Sequence, residues 1–314
     1  MWNCPCLPVI LRRGTYGFFM GIFLLAAPAS FASETPEPQA NALAYALKDR
    51  VGPPHPDTIA AYVQAGATET KAHELTDREW ALVEQAINSL PPLHQRILEK
   101  HLARLSFIEA PASVGTALTR MYEGPNGEPL FDITIRADIL DASLSYFLTQ
   151  KESTLFSDDS SGLSVQVIAS EAPALPYLLL HEASHVVDRS LGLTRNSGSF
   201  GDMWKDYREL AEPYAQGPLA QSVYRRAPRL PAAKSTALYA ALARSPFVSL
   251  YSTASAGEDF AELAAWSTLS QRDKIPLIFE VRDRNGQVII RVEPLKQVAV
   301  QARLRAVDAQ LSRP

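Results

Sequence analysis

Leu178-Leu179-Leu180-His181-Glu182-Ala183-Ser184-His185-Val186-Val187-Asp188 is the stretch from which the chain can be read. It contains His-Glu-x-x-His. Residues four apart lie about one turn apart on the same face of an α-helix, so His181 and His185 can point at one metal ion. Glu182 stands beside them, able to reach a water at that ion without being a ligand. The apolar residues around the motif describe a helix buried on most sides, which makes a low-dielectric floor for a site. A buried amphipathic helix holding two satisfied histidines would show the same pattern, so the reading turns on a third ligand.

Tyr251-Ser-Thr-Ala-Ser-Ala-Gly-Glu258-Asp259-Phe260-Ala261-Glu262-Leu263-Ala264-Ala265-Trp266 holds a candidate. Glu258 and Glu262 are again four apart, and Phe260, Leu263 and Ala264 form an apolar stripe at helical spacing. Ser255 three residues before Glu258 fits a capping box, which gives Glu258 a competing role as a capping carboxylate. Asp259 and Glu262 could equally be solvated helix charges.

Taken together, His-Glu-x-x-His and the later Tyr-x6-Glu-x-Phe-Ala-Glu resemble the catalytic domain of the anthrax lethal factor family of zinc metallopeptidases. The resemblance implies His181, His185 and Glu258 as zinc ligands, Glu182 as the catalytic base and Tyr251 opposite the metal. It also covers Asp188 after His-Val-Val, and Phe260-Ala261-Glu262. It is sharp only in these two segments and spans the second two-thirds of the chain. The expected fold is α+β and zincin-like, with a helical N-terminal front piece packed on it. Fold analogy adds an edge strand lining the cleft.

Asp188 lies three residues after His185 and seven after His181, on their face of the helix. It and Glu262 are candidates to hold a ligand histidine by its other ring nitrogen. The alternative for Asp188 is an ordinary charge near a helix end. His55, His73, His94 and His101 complete the six histidines, none at ligand spacing with another.

Residues 1–32 read as a secretory signal peptide: Arg12 and Arg13, an apolar run from Tyr16 to Ala27, then Ser30-Phe31-Ala32. About 12 apolar residues are short of the roughly 20 that span a bilayer, so no stable membrane anchor is expected after cleavage. Cys4 and Cys6 both precede the apolar run, which leaves the exported chain without disulfides or thiolate ligands. Removing residues 1–32 takes the formal charge from −4 to −6, which argues against a nucleic-acid partner. The expected localisation is periplasmic or secreted.

Residues 33–104 are expected to form the helical front piece, after a polar Pro-containing leader at Ser33–Gln39. Asp57 caps one helix. Thr76 and Glu79 form a capping box for a second, with Trp80, Leu82, Val83, Ala86 and Ile87 inward. Pro91-Pro92 opens a third. The catalytic region is expected at 105–314. Leu105–Glu109, Phe131–Ile135 and Leu163–Ile168 alternate as half-buried strands, with a turn at Gly124–Gly127 and a helix over Ile139–Phe147. After the motif come a loop over Leu191–Gly201, a helix over Asp202–Glu212, short helices near Ala220–Arg226 and Ala232–Ala243, a hairpin about Asn285-Gly286, and a closing helix to Leu311. Arg225, Arg226 and Arg229 read as a solvated face.

The function expected is an exported zinc metallopeptidase holding one zinc per chain and acting on a peptide or protein substrate. The alternatives are a zinc amidase acting on cell-wall peptide, and a non-catalytic zinc-binding interaction module. Intact Glu182 and Tyr251 favour an enzyme, since a structural zinc site needs neither.

Overall fold

The computed structural model describes residues 47–196 and 202–312. The expected signal peptide, the expected Ser33–Gln39 leader and part of the 191–201 segment lie outside the described residues. The fold is α+β, with a four-stranded mixed sheet and a three-stranded antiparallel sheet.

Helix α1 (Pro56–Gln64) is capped by His55, whose ring nitrogen accepts from Asp57 N at 3.2 Å. Asp57, the expected cap, is instead ion-paired with Arg120 at 2.6 Å. Strand β1 (Lys71–Ala72) follows. Helix α2 (Asp77–Asn88) carries the full Thr76–Glu79 capping box and buries Val83, Ala86 and Ile87, leaving Trp80 and Leu82 half-buried. Helix α3 (Pro92–His101) runs straight into strand β2 (Leu102–Glu109).

Strands β3 (Ala117–Glu123) and β4 (Pro129–Arg136) form a hairpin with Thr119 opposite Ile133. Its turn is closed by Gly124 N donating to Glu128 O at 2.7 Å, and Gly127 sits at φ +80°, where a side chain would be strained. The sheet order is β1-β2-β4-β3, with β2 and β4 parallel and β3 at the edge. Side chains alternate along β3: Leu118 and Arg120 face α1, while Ala117, Thr119 and Met121 face the motif helix.

The expected helix at Ile139–Phe147 is a 3₁₀ turn (Ala137–Asp141) and then α4 (Leu144–Ser153), which starts where Ser143 can accept from Tyr146 N. Short strand β5 (Phe156–Ser157) and strand β6 (Ser164–Ile168) lead to α5 (Leu175–Leu191), the motif helix. Every residue from Tyr177 to Asp188 is buried. Fully burying each Leu or Val contributes about 1.5–3 kcal/mol, so this helix is anchored on all sides.

Gly192 ends α5 in the left-handed region, at φ 66°. The segment expected as a loop from Leu191 is helix to Leu191 and again at α6 (Leu193–Asn196). Residues 202–212 are not the expected helix but turns around a Trp204–Leu210 bridge. Asp206 Oδ1 accepts from Arg208 N and Glu209 N, both at 2.7 Å, a local bond that competes with helix formation. Short 3₁₀ turns then precede β7 (Leu230–Pro231) and α7 (Ser235–Leu242).

Helix α8 (Ala256–Arg272) packs along α5. Strands β8 (Ile278–Arg282) and β9 (Val288–Val292) form the expected hairpin and complete the second sheet with β6; α9 (Val298–Leu311) closes the chain. The region before residue 105 is not a purely helical front piece: β1 pairs with β2, and α2 and α3 pack on α5. One core cluster runs from Leu47 to Val307. Among the described residues no helix is long and apolar enough to cross a membrane.

Candidate metal centre

Two helices build the site. α5 presents His181 and His185 one turn apart, and the first turn of α8 presents Glu258. Ser255 Oγ accepts from Glu258 N at 3.2 Å, which caps α8 and leaves the Glu258 carboxylate free to face the histidines. Glu258 Oε2 lies 3.0 Å from His181 Nε2 and 3.3 Å from His185 Nε2. The three donor atoms all fall within 4.8 Å of one another, and all three residues are buried.

These three residues can hold a metal ion. Burial alone would lower the His181 pKa, but the hydrogen bond to Glu258 and the charges of Glu258 and Glu262 outweigh it and hold it up to about 9. Burial alone would raise the Glu258 carboxyl; the charges and hydrogen bonds of His185 and His181 hold it well below the usual carboxylate range.

Glu262, one turn along α8, sits behind His181. Its Oε1 lies 3.1 Å from His181 Nδ1, a charge contact off the line of the ring N–H, since Nδ1 has no aligned hydrogen-bond partner among the described residues. Oε1 also accepts from the Tyr177 hydroxyl, and Oε2 accepts from Ser249 Oγ at 2.6 Å. Burial would raise the Glu262 carboxyl, but Lys151, His181 and Ser249 together bring it down to about 2. Asp188, the other candidate behind a histidine, does something different. It accepts from Thr194 N at 2.7 Å and Thr194 Oγ1 at 2.9 Å, fastening the end of α5 to α6. The sharp turn at Gly192 brings Thr194 within its reach and takes the carboxylate away from His185.

Glu182 is buried on the same helix, and its Oε2 accepts from Thr119 Oγ1 of β3 at 2.6 Å. Tyr251 sits in a 3₁₀ turn just before α8, its ring 5.7 Å from that of His181. Burial, the charges of Glu258 and Glu182, and a hydrogen bond to Glu258 push its phenol well above the ordinary range. Both side chains therefore border the His181–His185–Glu258 cluster.

Several residues that serve the site carry no local sequence signal. Thr119, Tyr177 and Ser249 belong to three separate elements and meet the motif only through tertiary packing. Arg225 is not on a solvated face: its Nη1 donates to Thr253 O at 3.1 Å and Ala254 O at 2.9 Å, holding the turn that carries Tyr251. Asp259 is no solvated charge either; it is fully buried, accepting from Trp204 Nε1 at 2.9 Å and pairing with Arg303. Gly257 has a packing reason, since a Cβ there would run into the Tyr207 ring and hydroxyl. His94, buried in α3, bonds Ser184 on the back of the motif helix at 2.9 Å, and His101 bonds Pro129 O at 2.8 Å. Neither joins the cluster.

No family model, no curated protein and no solved structure matches the chain.

Proposed function

We propose that the chain is an exported, zinc-dependent metallopeptidase with a zincin-like fold. The observation that carries the reading is the convergence of His181, His185 and Glu258, from two helices 77 residues apart in sequence, on one buried point. Two imidazoles and a carboxylate suit zinc, and three protein ligands leave a position for chemistry. Zinc held there supplies a Lewis acid and draws the pKa of water from 15.7 toward about 7.

The chain's own residues do the rest. Glu182, its Oε2 fixed by Thr119, takes the proton of the attacking water and delivers it to the leaving amine nitrogen. Tyr251, whose phenol is held protonated by burial, would donate a hydrogen bond to the oxyanion of the tetrahedral carbon. Glu262 holds the His181 ring from behind. Buried walls keep bulk water out and strengthen each of these interactions.

Glu182→Gln preserves size and removes the base. The variant is expected to keep its zinc and to lose about 10²–10⁴-fold of peptide cleavage, read against a degenerate peptide library. Zinc-loaded wild type that cleaves nothing there, while binding a partner as well as Glu182→Gln and Tyr251→Phe do, would replace the enzyme by a zinc-binding interaction module. Cleavage confined to cell-wall peptide would select the amidase.

A further inference from the structure

Lys151, in the last turn of α4, is a buried cation that no step above employs. Its ammonium lies 3.8 Å from the centroid of the Tyr251 ring and 3.9 Å from Glu262 Oε1. A lysine retained only to neutralise Glu262 would be expected at hydrogen-bond distance. Here Glu262 is already served by Tyr177, Ser249 and His181, and the surface the ammonium covers is the face of the phenol. The ring is boxed in on other sides as well. Tyr224 packs edge-on at 4.9 Å and 70°, and Arg225 pins the carbonyls of the same turn.

We propose that Lys151 is a positioning residue for Tyr251, fixing the ring by a cation–π contact and polarising its hydroxyl toward a developing oxyanion. This rests on the metallopeptidase reading above. A positive charge within about 6 Å of a ring centroid is attracted to the π face, most strongly where water is excluded. The same charge draws electron density out of the ring, which makes the O–H a better donor to an acceptor gaining negative charge. That benefit appears only as the oxyanion forms, so it belongs to the transition state and not to substrate binding. Because Lys151 acts through the Tyr251 hydroxyl, its removal can cost no more than the removal of that hydroxyl, about 10²–10³-fold in kcat.

The test is a double-variant cycle on the zinc-loaded full chain, with Lys151→Met, Tyr251→Phe and both together. Zinc content, kcat and KM on a cleaved peptide, and affinity for a phosphonamidate peptide as tetrahedral mimic would be measured. Lys151→Met is expected to keep one zinc, lower kcat about 10-fold or more with KM within about 2-fold, and weaken the phosphonamidate by the same factor. In the Tyr251→Phe background, Lys151→Met should then cost almost nothing. Losses that multiply, an unchanged kcat, or a loss explained by missing zinc would each overturn the proposal. If Lys151→Met does not fold, Lys151→Gln takes its place, and if neither uncharged residue folds, Lys151 is a structural cation and the proposal is withdrawn. Wild type that holds zinc but neither cleaves nor binds the phosphonamidate rejects the metallopeptidase reading and takes this proposal with it. Active wild type with an unaffected Lys151→Met rejects only the role of Lys151.

Discussion

Lys151 and Glu262 offer a direct measure of how strongly charge is coupled beneath the site. Both are buried and their charged atoms are 3.9 Å apart. At an effective dielectric of about 20, unit charges at that distance attract by about 4 kcal/mol. Glu262→Gln keeps the shape of the side chain but strands the ammonium, and breaking a buried pair costs about 3–5 kcal/mol. Lys151→Met should be milder, because neighbouring Glu152 is pushed by burial to about 7 and can take up a proton when the ammonium goes. The double variant removes both desolvation penalties. It should therefore be about 2–4 kcal/mol more stable than the sum of the single losses predicts. Urea unfolding of the metal-free protein at pH 7, with midpoint and slope fitted together, gives the four stabilities needed. Losses that add to within about 0.5 kcal/mol would refute the reasoning, since they would mean the two charges do not sense each other.

His94 is lowered to about 3 by burial, so the unfolded chain takes a proton near pH 6.5 where the folded chain does not. Stability tied to His94 is full above pH 6.5 and is lost on acidification by up to about 1.4 kcal/mol per pH unit; the gap between wild type and His94→Gln should shrink accordingly from pH 6 to 4, and parallel curves would contradict it. Zinc affinity by competition with a chelator should fall about 10–100-fold in Glu262→Gln and further in Glu258→Ala; the reverse order would move the third ligand one turn along α8. If residues 1–32 direct export and are removed, N-terminal sequencing of the mature chain should begin near Ser33, and an intact Met1 on a membrane-bound product would rule out cleavage.

What could be read in the sequence was what is encoded locally. The Thr76–Glu79 box, the His181–His185 spacing and the β8–β9 hairpin each depend on residues close to one another in sequence, the hairpin pairing no more distant a couple than Phe279 and Val292. The site's supports do not. Thr119 reaches Glu182 across 63 residues, and Tyr177 reaches Glu262 across 85. β3 went unread because Thr119-Arg120 breaks its apolar alternation, yet both side chains are buried, one on the motif helix and one on Asp57 of α1. The 202–212 segment misled because its helical composition is overridden by the Asp206 turn. Asp188 misled because a helical wheel does not show that the chain doubles back after Gly192 and brings Thr194 to it.

The β3–β4 hairpin makes the setting of Glu182 a matter of parity. Since strand side chains alternate, β3 can address the motif helix only in steps of two residues. A slip of one against β4 would swing Thr119 over to α1 and turn Leu118 or Arg120 toward Glu182. A slip of two would bring Ala117 or Met121, neither of which has a hydroxyl to give. The length of the 124–128 turn, closed through Gly124 and Glu128, is thus a coarse switch on the carboxylate. Insertions and deletions there cannot tune Glu182 by degrees; they either keep Thr119 in place or take its proton away.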